Sequence, residues 1–213
     1  MKSINRVIIT QDFITLFIFL GILILFFLKA FDHKKLYGYT SAFITQGFIE
    51  KTSEENNPFF NLFYILLQFF CVIVISVVTF QFINPIPSSY ISNFSLLLLI
   101  VLITTLFFVI KNFVTAFIFK LLELKEKIKY LLFTKNGYLY TCCLLLFPFV
   151  ILHQYAFKSK ILLIGVISLL LIFRLFLIFK NNKKTLFRHF FYFILYFCTL
   201  ELAPLVLLYK TIN

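Results

Sequence analysis

Glu201 and Arg174 are the residues of this 213-residue chain that most need a chemical explanation. Glu201 sits inside the apolar run Leu186 to Tyr209, LFRHFFYFILYFCTLELAPLVLLY, and Arg174 inside the run Ile161 to Phe179. A charged side chain left alone at membrane depth is costly, so it marks either a functional site or a structural ion pair. Counted from Lys210 and Lys180, the two backbone depths differ by roughly 7 Å. Two long side chains bridge that gap if their runs are antiparallel neighbours. The pair then acts either as a strut that sets helix register or as a route for proton or ion coupling. Pro204 leaves the carbonyl of Leu200 without its helical donor, so a kink and a free acceptor beside Glu201 are expected in both cases. Pro148 marks a second expected kink, and Gln68 is a further polar group at depth.

Other chemistry is hard to find. His33, His153 and His189 form no metal-ligand spacing, and their expected role is solvated or interfacial. Cys71, Cys142, Cys143 and Cys198 all fall in apolar runs without the C-x₂-C spacing of a zinc or redox site, and read as small buried side chains. No G-x-S-x-G, phosphate-binding glycine loop or cluster of loop carboxylates occurs. The sequence therefore predicts no metal, no cofactor and no catalytic residue.

The elements that carry these residues are dictated by composition. Hydrophobic residues make up 62% of the chain and charged ones 13%, with a mean hydropathy of +1.02. A soluble domain needs more polar surface than that, so the bilayer is the main solvent. The expected fold is an all-α integral membrane bundle, a single domain of about six spans. These run at about 7–28, 59–81, 94–110, 138–155, 161–179 and 186–209, each long enough for hydrocarbon about 30 Å thick. The first run is too long for a signal peptide and no small-residue cleavage site follows it, so it reads as a retained span. Asp12 is expected at its start, as a cap or first-turn acid.

Between the spans, three connectors are informative. Lys29 to Pro58 mixes Lys29, Lys34 and Lys35 with Tyr37, Tyr39, Phe43 and Phe48, which suits a short interfacial helix with its aromatics at headgroup level. Asn57-Pro58 then reads as an N-cap and first helical residue. From 111 to 133, Phe113, Phe117, Leu121, Leu124, Ile128 and Leu131 recur at steps of three or four, opposite Lys120, Glu123 and Lys127. That is the pattern of a cytoplasmic amphipathic helix, lying along the membrane or projecting from the third span, with its apolar face on the membrane surface or docked on a partner. Lys120, Lys125, Lys127 and Lys129 are its candidate lipid or partner contacts. Lys135-Asn136-Gly137 is expected to break it from the next span.

The net charge of +12 lies in these connectors, so anionic headgroups, rather than nucleic acid, are the expected partner. Fourteen of the basic residues, Lys29, Lys34 and Lys35 among them, fall in loops one, three and five, against five on the other side. The positive-inside rule then places those loops in the cytoplasm and both termini outside.

Several segments carry a family likeness: Asn57-Pro58-Phe59-Phe60, the basic amphipathic run after Lys111, and Phe133 through Asn136-Gly137 to Pro148. Phe173-Arg174 follows, and the most specific is Leu195-Tyr196-Phe197-Cys198-Thr199-Leu200-Glu201 with Pro204-Leu205 and Tyr209-Lys210. In these the chain resembles a domain-of-unknown-function family of small polytopic inner-membrane proteins of Bacteroidota. Ala203 departs from the bulkier aliphatic residue expected before the proline. The resemblance implies an inner-membrane protein and supplies no activity, substrate or catalytic residue.

The expected function is a non-enzymatic subunit or assembly factor of a membrane protein complex. The rivals are a small transporter or proton-coupled component using Glu201 and Arg174, and a lipid-modifying enzyme with polar residues gathered at one membrane face. On the orientation above, alkaline phosphatase fused after Asn213 is active; a well-expressed but inactive fusion reverses it.

Overall fold

A computed structural model describes residues 12–42, 48, 62–83, 93–122, 125–156 and 159–181, with the side chains of 12, 93, 114–133 and 179–181 outside the description. Among these residues the secondary structure is helical: α1 (Asp12–Phe31), α2 (His33–Ser41), α3 (Leu62–Phe82), α4 (Asn93–Leu122), α5 (Lys125–Tyr155) and α6 (Lys160–Asn181). All but α2 are long and apolar enough to cross a bilayer, over Phe13–Phe31, Leu62–Phe82, Phe94–Phe113, Thr134–Tyr155 and Lys160–Ile178. The protein is multi-pass. The sixth expected span, 186–209, lies outside the described residues.

In hydrocarbon every backbone N–H must be satisfied within its own helix, which is why β-branched runs such as Val72-Ile73-Val74-Ile75 remain helical. Polar side chains are satisfied in pairs that also set the register. Gln68 on α3 accepts from Asn112 on α4 at 3.1 Å, and Ser76 meets Thr104 at 2.7 Å. One helix counts up while the other counts down, so α3 and α4 are antiparallel. Gln81 donates to Gln154 at 3.3 Å and Phe70 packs on Phe147 at 5.2 Å, so α3 and α5 are parallel. Phe13 lies against Phe80, and Tyr155 reaches Thr15 at 3.0 Å, so α1 runs against both. The starts of α3 and α5 therefore share one end of the bundle with the finish of α1 and α4. We call it the basic end, for Lys29, Lys34, Lys111 and Lys135.

At that end the chain turns sharply. Asp32 leaves helical geometry at φ −155° and ψ 88°, and its carboxylate accepts from the Lys35 N–H at 3.0 Å, capping α2 directly after α1. The expected short helix is present, but its aromatics divide. Tyr37 is exposed, whereas Tyr39 is fully buried rather than at headgroup level. Its ring packs with Phe48, Phe63, Tyr64 and Tyr140. A nine-residue helix with an apolar side gains more by closing onto the bundle than by floating beside it. Gly38 permits the closure, since a Cβ there would overlap the Phe48 ring.

The stretch 111–133 is not a separate helix. Its first part continues α4 to Leu122 and its second part begins α5 at Lys125; the amphipathic side chains from 114 onward lie outside the description. Nor does Lys135-Asn136-Gly137 break the chain: α5 passes through it, and the Gly137 carbonyl accepts from the Thr141 hydroxyl at 3.0 Å. A mid-helix glycine costs about 1 kcal/mol. Releasing several backbone groups at a membrane boundary costs more, so helix wins. Pro148 likewise sits within the continuous helix α5.

The packing of α1 on α5 is close at Gly21, where a Cβ would stand 2.9 Å from the buried Phe147 ring. Gly21→Ala is expected to destabilise the detergent-solubilised protein by about 1–3 kcal/mol. A melting curve equal to the unmodified protein's would refute this packing.

Candidate functional site

Three cationic side chains are buried at the basic end, one from each of three helices. Lys111 of α4 is 5% exposed, Lys135 of α5 1% and Arg174 of α6 6%. Lys111 places its ammonium 5.7 Å from the centroid of the Phe108 ring, one turn back on its own helix. Arg174 donates from Nη2 to the carbonyl oxygen of Lys135 at 3.4 Å. That carbonyl retains a second lone pair beyond its helical bond, so it can accept from a neighbouring helix. The contact ties α6 to α5 at the depth where α5 enters its span.

Around these cations lie small polarisable or polar groups. Cys71 of α3 and Cys143 of α5 are both buried. Cys142, beside Arg174, donates from Sγ to the Leu170 carbonyl at 3.7 Å. The Gln68–Asn112 amide pair adjoins Lys111 in sequence. Thr134 and Thr141 are buried on the same helix as Lys135. Together they form a polar, positively charged layer crossing α3, α4, α5 and α6.

A lone arginine at bilayer depth costs about 2.5–3.5 kcal/mol by insertion measurements. The carbonyl contact and the position near one end of the spans offset part of that cost. The layer is able to hold negative charge, on a carboxylate of this chain or on a ligand. No group of three His, Cys, Asp or Glu gathers among the described residues. At the opposite end a second polar group forms from Gln81, Gln154 and the half-buried His153.

The residues singled out from the sequence fare unequally. Arg174 and Gln68 are both found in the layer, with Lys135 and Asn112 as their partners. Glu201 and Pro204 lie outside the described residues. Lys120, Lys125, Lys127 and Lys129 have helical backbones in α4 and α5, with side chains outside the description. Sequence reasoning missed Lys111 and Lys135 because both sit at span ends, where lysine normally reaches water. The available signal was the adjacent cluster Gln68, Asn112 and Thr134, polar residues where a snorkelling lysine needs none.

A family model described as Domain of unknown function (DUF4271) matches residues 14–212, nearly the whole chain. No curated protein matches the chain, and no solved structure does.

The Gln68–Asn112 bond predicts a measurable coupling. In a double-mutant cycle of Gln68→Ala and Asn112→Ala, the interaction energy is expected near 0.6 kcal/mol, with about 1.7 kcal/mol as the upper end for membrane helices. Strict additivity would mean that the two amides do not meet.

Proposed function

We propose, from the premise that the chain belongs to this family of unknown function, that it is a non-enzymatic subunit or assembly factor of a membrane protein complex. Its contact element is the paired ends of α4 and α5. The observation that carries this reading is their surplus length. α4 has 30 residues and α5 has 31, about 45 Å each, against hydrocarbon about 30 Å thick. Gln154 stands level with Gln81 at the opposite end, so the excess of α5 falls at the basic end. A crossing of about 20 residues leaves about ten residues of each helix, or about 15 Å, beyond the hydrocarbon. Only positions 123 and 124 intervene.

A basic helical hairpin standing past the spans contributes nothing to crossing, and in this reading it is a recognition element. In this reading the bilayer is the bacterial inner membrane and the basic end faces the cytoplasm, in line with the positive-inside rule. Both termini are then periplasmic. Lys120, Lys125, Lys127 and Lys129 meet an acidic surface of the partner or anionic headgroups beside it.

A second reading is favoured by the burial of Arg174 beside Lys135: a small transporter or proton-coupled component in which Glu201 carries the proton. One experiment separates the two. The chromosomally tagged protein is purified in mild detergent, and what accompanies it is identified by mass spectrometry. A stoichiometric partner is expected, with recovery falling about tenfold or more when Lys120, Lys125, Lys127 and Lys129 are changed to Glu. A lone protein, or a partner indifferent to the four changes, overturns the hairpin reading. If Glu201→Gln then fails to complement a deletion at normal abundance, coupling is the better account; if that variant vanishes from the membrane, the carboxylate is structural.

A further inference from the structure

We propose that the corner between α1 and α2 is a docking site for the headgroups of anionic phospholipid. This goes beyond the partner reading above and does not depend on it. The corner presents a fixed array of cations and aromatics. Lys29 stands in the last turn of α1, and His33 and Lys34 in the first turn of α2; all three are exposed. Phe31 and Tyr37, 61% and 68% exposed, lie beside them.

The array is held rigidly. Tyr39, on the opposite side of α2, is fully buried against Phe63 and Tyr64 of α3 and Tyr140 of α5. Asp32 caps the helix through the Lys35 N–H, and its other oxygen stands 4.0 Å from the Lys35 ammonium. Among the described residues the one acid at the corner is thus turned toward Lys35, and Lys29 and Lys34 are exposed. Rigidity matters because the backbone that carries the lysines need not be ordered when a ligand binds.

Depth identifies the occupant. α2 follows directly on the end of the apolar span of α1 at Phe31, and packs on Tyr64 and Tyr140 of the spanning segments of α3 and α5. The headgroup layer occupies about 5–8 Å on each side of the hydrocarbon. With Tyr39 wedged between those rings, α2 lies where hydrocarbon gives way to phosphate. Free phosphate or an acidic protein loop would use the lysines and leave Phe31 and Tyr37 bare in water. A phospholipid uses both, phosphate on the cations and glycerol and upper acyl carbons on the rings.

The test is lipid retention by the full-length protein, read by native mass spectrometry after transfer from nanodiscs of phosphatidylglycerol and phosphatidylcholine in equal amounts. The unmodified protein is expected to retain phosphatidylglycerol preferentially, and to lose that preference as salt rises from about 50 to about 500 mM. Lys29→Gln with Lys34→Gln is expected to lower retention about tenfold or more, since each charge near an anionic surface is worth about fivefold. Lys160→Gln, at the opposite end of the bundle, is expected to leave most of it. Equal retention of the two lipids, insensitivity to salt, or an equal loss with Lys160→Gln would each overturn the site. The salt series uses the unmodified chain, so the test survives if the double variant fails to fold.

Discussion

Hydrocarbon offers no hydrogen-bond partner, and the arrangement of this bundle follows from how its polar side chains meet that condition. Many in the described spans either bond back to their own helix or reach across to the next. Thr79, Thr104 and Thr105 take carbonyls three and four residues back. Ser76 and Thr104, Gln68 and Asn112, and Gln81 and Gln154 take each other. Apolar side chains gain little from one another in lipid that lipid would not give them, so these few crossings set the register that bulk packing cannot. On both α3 and α4 the two pairs are eight residues apart. Sliding one helix by a turn breaks both pairs together.

The same condition explains what the sequence made legible. Runs such as Leu62–Phe82 and Lys160–Ile178 are apolar for the length of a bilayer, and no other structure satisfies their backbone, so α3 and α6 were expected within a few residues. Arg174 and Gln68 stood out because a polar atom in such a run has nowhere else to go. The misreadings cluster at span ends, where water and lipid both supply partners and local pattern no longer decides. Gly137 reads as a break and is helical; 111–133 reads as one helix, along the membrane or projecting from the third span, and is the adjoining parts of two longer ones, the first of them a continuation of that span. Tyr39 looked like a headgroup aromatic because its burial depends on Tyr64 and Tyr140, which no local pattern connects to it.

Two kinds of positive charge share one end of the molecule, and they do different things. Lys29 and Lys34 face outward, free to meet whatever anion the surface offers. Lys111, Lys135 and Arg174 are enclosed, and enclosed cations bind their counter-charge more strongly because less water intervenes. Cationic residues in a membrane protein are usually read as orientation signals. The burial of these three is more than orientation requires, since orientation needs only a cation near the membrane surface.

The burial of Tyr39 also has a consequence in time. Its pocket includes Tyr140, 101 residues further along the chain. Synthesis at roughly 5–20 residues per second puts about 5–20 s between the emergence of the two residues. Throughout that interval α1 can already be in the bilayer while α2 waits with its aromatic side uncovered. The N-terminal corner is therefore among the first parts of the protein to be made and among the last to be finished, and a ribosome stalled before α5 would leave it open to membrane chaperones.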